Sequence, residues 1–289
     1  MTSDSAPAMA PPTMVPDQEL VALQRLLLAE SAIQLDHGRS YLVDARLSPV
    51  ARRYHLPGVA ELIQALQPGS PQMVADIIDA LTSNDTAFLL TSELVEVLSG
   101  HILPDLAARR RPARTLAIWS AACSSGQEPY SLAIVLQEQF PELVSAGQIS
   151  ILASDLSPTM VMRCNAGRYS RIEIARGLPS DVLVRQFEPD AGDWVVRPEL
   201  RSLLRATVIN LIQAWPGVPR CDLVLARNVL GYFPGSVQVQ ILERIRRTAL
   251  APLGYLILGA GEPVLEPTSG VELVGPAHLS CYRLTGEEA

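Results

Sequence analysis

No stretch of this sequence approaches the ~20 consecutive apolar residues that a membrane-spanning helix needs, so no membrane insertion is expected. Cysteine is scarce: Cys123, Cys164, Cys221 and Cys281 are the only four, they are scattered, and no C-x-x-C pair occurs. That excludes a disulfide-stapled scaffold and reads as ordinary reduced thiols of an intracellular, cytoplasmic protein. Histidine is equally sparse. His37, His55, His101 and His278 are dispersed among unrelated segments, so no metal site is expected. Positive charge is in deficit as well. A net charge of −7 argues against nucleic acid or another polyanion as a general partner, although a local basic patch is compatible with it.

What is present is a globular composition, 48% hydrophobic and 18% charged, over 289 residues. That length suits one large domain or two modest ones. Residues 1–16 are small and proline-rich, with no cationic stretch ahead of an apolar core; a disordered tail is expected there rather than a signal peptide. From Asp17 to about Leu106 the pattern is helical. Leu20, Leu23 and Leu27 share one face behind a capping Asp17, a second helix fits 58–66, and a third begins at Ser70-Pro71 with Met73, Ile77 and Leu81 on one side. An all-helical N-terminal domain and linker over 17–106 is therefore expected.

After the basic tract at 109–112 the pattern changes. Short apolar runs at 116–119, 149–153, 208–209, 223–225 and 255–258 alternate with helical stretches at 129–139, 158–166 and 236–250. That alternation predicts an α/β domain over 107–289 with a mostly parallel sheet covered on both faces. Two further strands near 271–274 and 279–284 give the sheet an antiparallel ending. Trp194, Val195 and Val196, set between turn formers, predict a small antiparallel β insertion over 186–206.

Ligands of such sheets sit beyond the carboxyl ends of the strands. After the first strand comes S-A-A-C-S-S-G-Q-E, whose small residues allow close backbone approach and whose Glu128 opens a helix. An acid there complements the helix dipole as readily as it holds a ligand. Asp155 follows the second strand, spaced either to accept from two ribose hydroxyls or to cap the helix at Ser157-Pro158. Asn210 follows the third strand; Arg227-Asn228 and then Tyr232-Phe233 follow the fourth. Polar residues at four successive strand ends outnumber what capping alone requires.

Residues 119–131 (W-S-A-A-C-S-S-G-Q-E-P-Y-S), 153–156 (A-S-D-L) and 226–233 (A-R-N-V-L-G-Y-F) together resemble the CheR family of chemotaxis methyltransferases, and residues 45–47 and 81–88 resemble its N-terminal domain and linker. The resemblance implies a class I methyltransferase sheet and S-adenosylmethionine as cofactor, with S-adenosylhomocysteine as product. It implies methyl transfer to glutamate side chains in the cytoplasmic domain of a chemoreceptor-like partner. By the same resemblance Glu128 receives the cofactor's ammonium, Asp155 its ribose and Asn210 its adenine. Asn84 and Thr86 close the site, and Asn228 and Tyr232 lie near the transferred methyl. Arg46, Arg52 and Arg53 lie where the family has a receptor-facing basic surface; an ordinary solvated face explains them equally well. The β insertion matches the family's β-subdomain but is short for docking a receptor tail.

One departure stands out. The family's linker motif ends in arginine, and here that position is Leu90. An arginine there would grip the substrate carboxylate through two parallel bonds, which leucine cannot do; Arg227 is the nearest candidate to compensate. A second departure is G-A-G-E at 259–262, where the family has G-H-S-E. Besides an active glutamate methyltransferase, a non-catalytic signalling module that binds the cofactor or its product fits the sequence. Nucleic-acid methylation lacks an N-P-P-Y or D-P-P-Y segment, and a nicotinamide oxidoreductase lacks G-x-G-x-x-G after the first strand.

Overall fold

The computed structural model describes residues 15–34, 40–66, 70–82, 86–88, 90–109, 114–263, 265 and 270–285. Contacts divide the chain into two units, with the boundary between Thr82 and Ser83. The first is helical: Asp17–Ser31, Ser40–Arg53, Val59–Gln64 and Pro71–Leu81. Leu23, Leu27, Leu47, Leu62 and Ile77 are buried among them. Two caps differ from expectation. Pro16 occupies the N-cap of the first helix, with Asp17 already inside it, and Ser70 makes no side-chain cap although Pro71 does hold the first position of its helix. The Ser40–Arg53 helix is not predicted above, because Pro49 interrupts it; its apolar face is nevertheless continuous through Val43, Leu47 and Val50.

The second unit begins before the expected domain start at 107. A continuous helical stretch runs through Ser92–Val97, the π turn Leu98–Ile102 and Leu103–Arg109. Its Leu94, Leu98, Leu103 and Leu106 share one apolar cluster with Leu116 and Ile118 of the first strand. Burial of that face assigns the stretch to the α/β unit rather than to the N-terminal helices.

Ten strands follow: β1 Leu116–Ala121, β2 Ile149–Asp155, β3 Arg168–Tyr169, β4 Phe187–Asp190, β5 Asp193–Val196, β6 Leu204–Val208, β7 Cys221–Ala226, β8 Leu250–Leu258, β9 Val271–Leu273 and β10 Cys281–Leu284. Seven of them form one sheet in the order β6-β2-β1-β7-β8-β10-β9. The five strands from β6 to β8 are parallel, and β10 and β9 close the edge antiparallel. This is the mostly parallel, antiparallel-ended sheet expected. β1 and β7 are buried almost throughout, as strands covered on both faces must be. The insertion is larger than 186–206 suggested at its start and shorter at its end. Its three-stranded sheet, ordered β3-β5-β4, spans 168–196, while β6 from Leu204 belongs to the main sheet. Ala191 and Gly192, both with positive φ, make the two-residue turn that pairs Asp190 with Asp193. Among the described residues no helix is long and apolar enough to cross a membrane.

Candidate active site

The chain leaves β1 toward β2 and β6 on one side, then returns to the other side of β1 for β7 and β8. The reversal puts the switch point at the ends of β1 and β7, the place where open α/β sheets bind ligands. Residues 122–128 follow β1 there. Ala122, Ser124 and Gly126 all have positive φ, which turns the chain sharply into the Gln127–Gln139 helix. Gly126 is required twice over. Its φ is +98°, and a Cβ there would lie 2.6 Å from the Cys164 sulfur and 3.1 Å from the Tyr169 hydroxyl. Tyr169 in turn donates to the Ser125 carbonyl at 2.7 Å.

Glu128 points back toward β7. Arg227, the first residue beyond that strand, donates to its Oε2 at 2.6 Å, and Ser120 donates to Oε1 at 3.4 Å. Both charged side chains retain about a fifth of their exposure or less, 17% for Glu128 and 20% for Arg227. Burial pushes the Glu128 carboxyl above its ordinary value, and attraction to Arg227 pulls it partly back. Arg227 is therefore held at Glu128, so standing in for an arginine at position 90 would require this bridge to open. The chain contains no lysine, which leaves arginine as the fixed cation for any carboxylate.

Asp155 ends β2 and is buried. Its Oδ2 accepts the Ser124 N–H at 2.8 Å and its Oδ1 the Ser157 N–H at 2.9 Å, which ties the β1 loop to the β2 loop. The cap of the Pro158–Ala166 helix is Ser157, whose hydroxyl accepts from Met160, so Asp155 does not act as that cap. Asn210 follows β6, where its side chain accepts the Ile212 N–H at 3.2 Å and its carbonyl accepts from the Trp215 indole at 3.3 Å. Arg244 stacks 5.1 Å over the Trp215 ring, and Trp215 meets Trp119 of β1 edge-on at 5.0 Å.

Asn228 follows Arg227 with φ of +58°, and Tyr232, 41% exposed, closes the short turn Leu230–Tyr232. Beneath them lies Glu262, which sequence reasoning noted only within a divergent motif. Its Oε1 accepts the Val229 and Leu230 N–H groups at 2.7 and 2.8 Å. The signal that could have found it is an acid closing the glycine-containing turn Gly259-Ala260-Gly261 directly after an apolar strand.

The remaining expected residues fall elsewhere. Thr86 is half-buried two residues before Phe88, whose ring packs edge-on against Tyr169 at 4.7 Å and Phe187 at 5.5 Å. Asn84 lies outside the described residues. Leu90 is only 5% exposed and belongs to the apolar cluster that includes Phe88 and Leu94. An arginine at that position would enter apolar packing, so the expectation that it would simply restore a grip on substrate does not follow. Arg46 donates to the Leu81 and Thr82 carbonyls at 2.9 and 3.3 Å, closing the end of the Pro71–Leu81 helix. Arg53 pairs with Asp76 at 3.0 Å; Arg52 is exposed.

A seven-stranded sheet with this order, a glycine turn after β1, Glu128 opening the helix beyond that turn and Asp155 ending β2 define an S-adenosylmethionine-dependent methyltransferase of class I type. Residues 84–276 match the SAM-binding domain of CheR methyltransferase, and residues 18–82 match its all-alpha domain. Chemotaxis protein methyltransferase Cher2 of Pseudomonas putida is 38% identical over 237 residues, covering 80% of this chain and 84% of that protein. Chemotaxis protein methyltransferase 1 of Pseudomonas aeruginosa is 37% identical, with 80% and 84% covered. Chemotaxis protein methyltransferase 1 of Vibrio cholerae is 35% identical over 266 residues, 90% and 94% of the two chains. The chain belongs to the CheR methyltransferase family.

Proposed function

We propose that this chain is a protein-glutamate O-methyltransferase acting on the cytoplasmic domain of a chemoreceptor-like partner, and that it works in the cytoplasm. The observation that carries the reading is the Glu128–Arg227 pair at the sheet's switch point, next to an Asp155 that ties two strand-end loops together. These residues fit an amino-acid head group and a ribose: a half-screened carboxylate suits an ammonium, and a guanidinium suits a carboxylate. S-adenosylmethionine supplies a methyl group on a positively charged sulfur. Glu128 with Arg227 holds the head group, Asp155 the ribose, and Asn210 with the Trp215 loop the adenine end. Thr86 closes the site from the N-terminal side, a role the family resemblance gives to Asn84 as well. Asn228 and Tyr232 face the methyl and orient the incoming side chain. A glutamate has an unperturbed pKa of about 4.3, so it arrives as a carboxylate and needs no general base from the chain. The chain's contribution is alignment and exclusion of water.

One observation favours a second reading, in which the chain binds cofactor or product and signals without transfer: Leu90 is packed in the core and offers no charge to a substrate carboxylate. Two measurements separate the readings. Titration with S-adenosylhomocysteine reports binding, and radiolabelled methyl incorporation into a receptor signalling fragment, with base-labile release, reports ester formation. Binding with incorporation supports the transferase. Binding without it supports the signalling module.

A further inference from the structure

We propose that Glu262 is a positioning residue for methyl transfer, acting through the turn that carries Asn228 and Tyr232; the proposal rests on the transferase reading of that turn. Strands β7 and β8 pair for the last time at Ala226 and Leu258. Beyond that point the two chains separate, and the N–H groups that a further strand pair would satisfy lose their partners. The Glu262 carboxylate replaces the missing ladder. Its Oε1 accepts from Val229 at 2.7 Å and Leu230 at 2.8 Å, while its Oε2 accepts from the Gly259 N–H. The side chain is buried, and a buried carboxylate is tolerated only when its oxygens are hydrogen-bonded.

Two further features converge on the same turn. Asn228 holds a left-handed φ of +58°, a conformation asparagine tolerates better than most residues but does not adopt without support. Gly259 lets the neighbouring strand end approach: a Cβ there would lie 2.7 Å from the Asn228 nitrogen and 2.9 Å from the Glu262 carboxylate. The Tyr232 N–H bonds the Val229 carbonyl at 3.2 Å, so the constraint that Glu262 places on Val229 reaches Tyr232 directly. Glu262 thus braces the turn that carries both residues assigned to the methyl; it makes no hydrogen bond to the head-group pair Glu128 and Arg227, although its charge adds to the forces that raise the Glu128 carboxyl.

The test is Glu262→Gln. The amide keeps the size of the side chain, loses its charge, and sets an N–H donor against at least one of the three backbone donors. Methyl-transfer kcat should fall on the order of 10²-fold while the S-adenosylhomocysteine Kd moves less than about threefold, because catalysis is sensitive to misplacements near 1 Å that binding tolerates. Amide hydrogen exchange at Val229 and Leu230 should accelerate about tenfold or more, since their acceptor is weakened. Glu262→Asp, which retains the charge, should recover part of the rate. An unchanged kcat, unchanged exchange at those two amides, or parallel loss of cofactor binding and kcat would overturn the proposal. If the natural protein itself transfers no methyl, the transferase reading fails, and the exchange measurement alone decides whether Glu262 holds the turn.

Discussion

Replacing Glu128 by glutamine tests the cofactor site at the point where its electrostatics are most exposed to measurement. The change removes the negative charge that faces Arg227 at 2.6 Å and leaves size and shape intact. Two effects oppose each other. An incoming ammonium loses its counter-charge, a charge-assisted bond worth about 1.5–3 kcal/mol. Against that, the free protein no longer holds a bridge that the ligand has to loosen; with about a fifth of each side chain exposed, that bridge is partly screened and offsets under about 1 kcal/mol. The balance is a loss of about 2 kcal/mol, or roughly 30-fold in the Kd for S-adenosylhomocysteine at neutral pH. A pH series adds a second readout. Because burial raises the Glu128 pKa, the folded protein takes up this proton more readily than the unfolded chain does. Its charge therefore costs stability above the raised pKa, and that cost disappears as pH falls through it. Ligand affinity moves the opposite way, declining on acidification as Glu128 protonates, at a pH above the ordinary value of 4.5. Titration calorimetry from neutral to mildly acidic pH should show that decline in the natural protein and not in Glu128→Gln. Equal affinities for the two proteins, or identical pH profiles, would refute the assignment of the ammonium to Glu128.

Asp155→Ala removes the acceptor of two buried N–H groups and should weaken S-adenosylhomocysteine binding by about 1–3 kcal/mol in the same titration; unchanged affinity would separate Asp155 from the ribose. Gly126→Ala forces a side chain into a left-handed position against the Cys164 sulfur, at a cost of about 2–5 kcal/mol from backbone strain and overpacking together. A thermal melt reads it, and an unshifted Tm would contradict the close approach. Leu90→Arg buries a guanidinium in an apolar cluster and should destabilise the fold by about 3 kcal/mol or more without raising methyl transfer; a variant that melts like the natural protein and transfers faster would show that the side chain faces the site instead.

Much of this architecture was legible in the sequence because its signals are local. Alternating apolar runs and helical stretches announced the parallel sheet, and reading around the strand ends supplied Glu128 at the start of the helix after β1, Asp155 at the end of β2 and Arg227 just after β7. What escaped depends on distance. Glu262 bonds residues 32 and 33 positions earlier, so nothing beside it in the chain reveals its partners. The bridge between Glu128 and Arg227 spans 99 residues, and sequence alone left Arg227 as a candidate for the substrate side. The Ser40–Arg53 helix was obscured by Pro49, since packing of Leu47 and Val50 outweighs the one backbone bond that proline removes. β3 is two residues long and carries no periodicity of its own; it exists because β5 pairs with it. Leu90 shows the limit of comparison by motif: a position can be matched to an arginine while its side chain is packed into a core.

The measurement that bears most directly on the central claim is mass spectrometry of a receptor signalling fragment after incubation with this protein and S-adenosylmethionine. The transferase reading predicts a single added methylene on identified glutamate residues, removed by mild base and diminished at sub-saturating cofactor when Asp155→Ala replaces the natural protein. A fragment that stays unmodified while S-adenosylhomocysteine binds tightly would contradict it and leave the chain as a cofactor-binding signalling module.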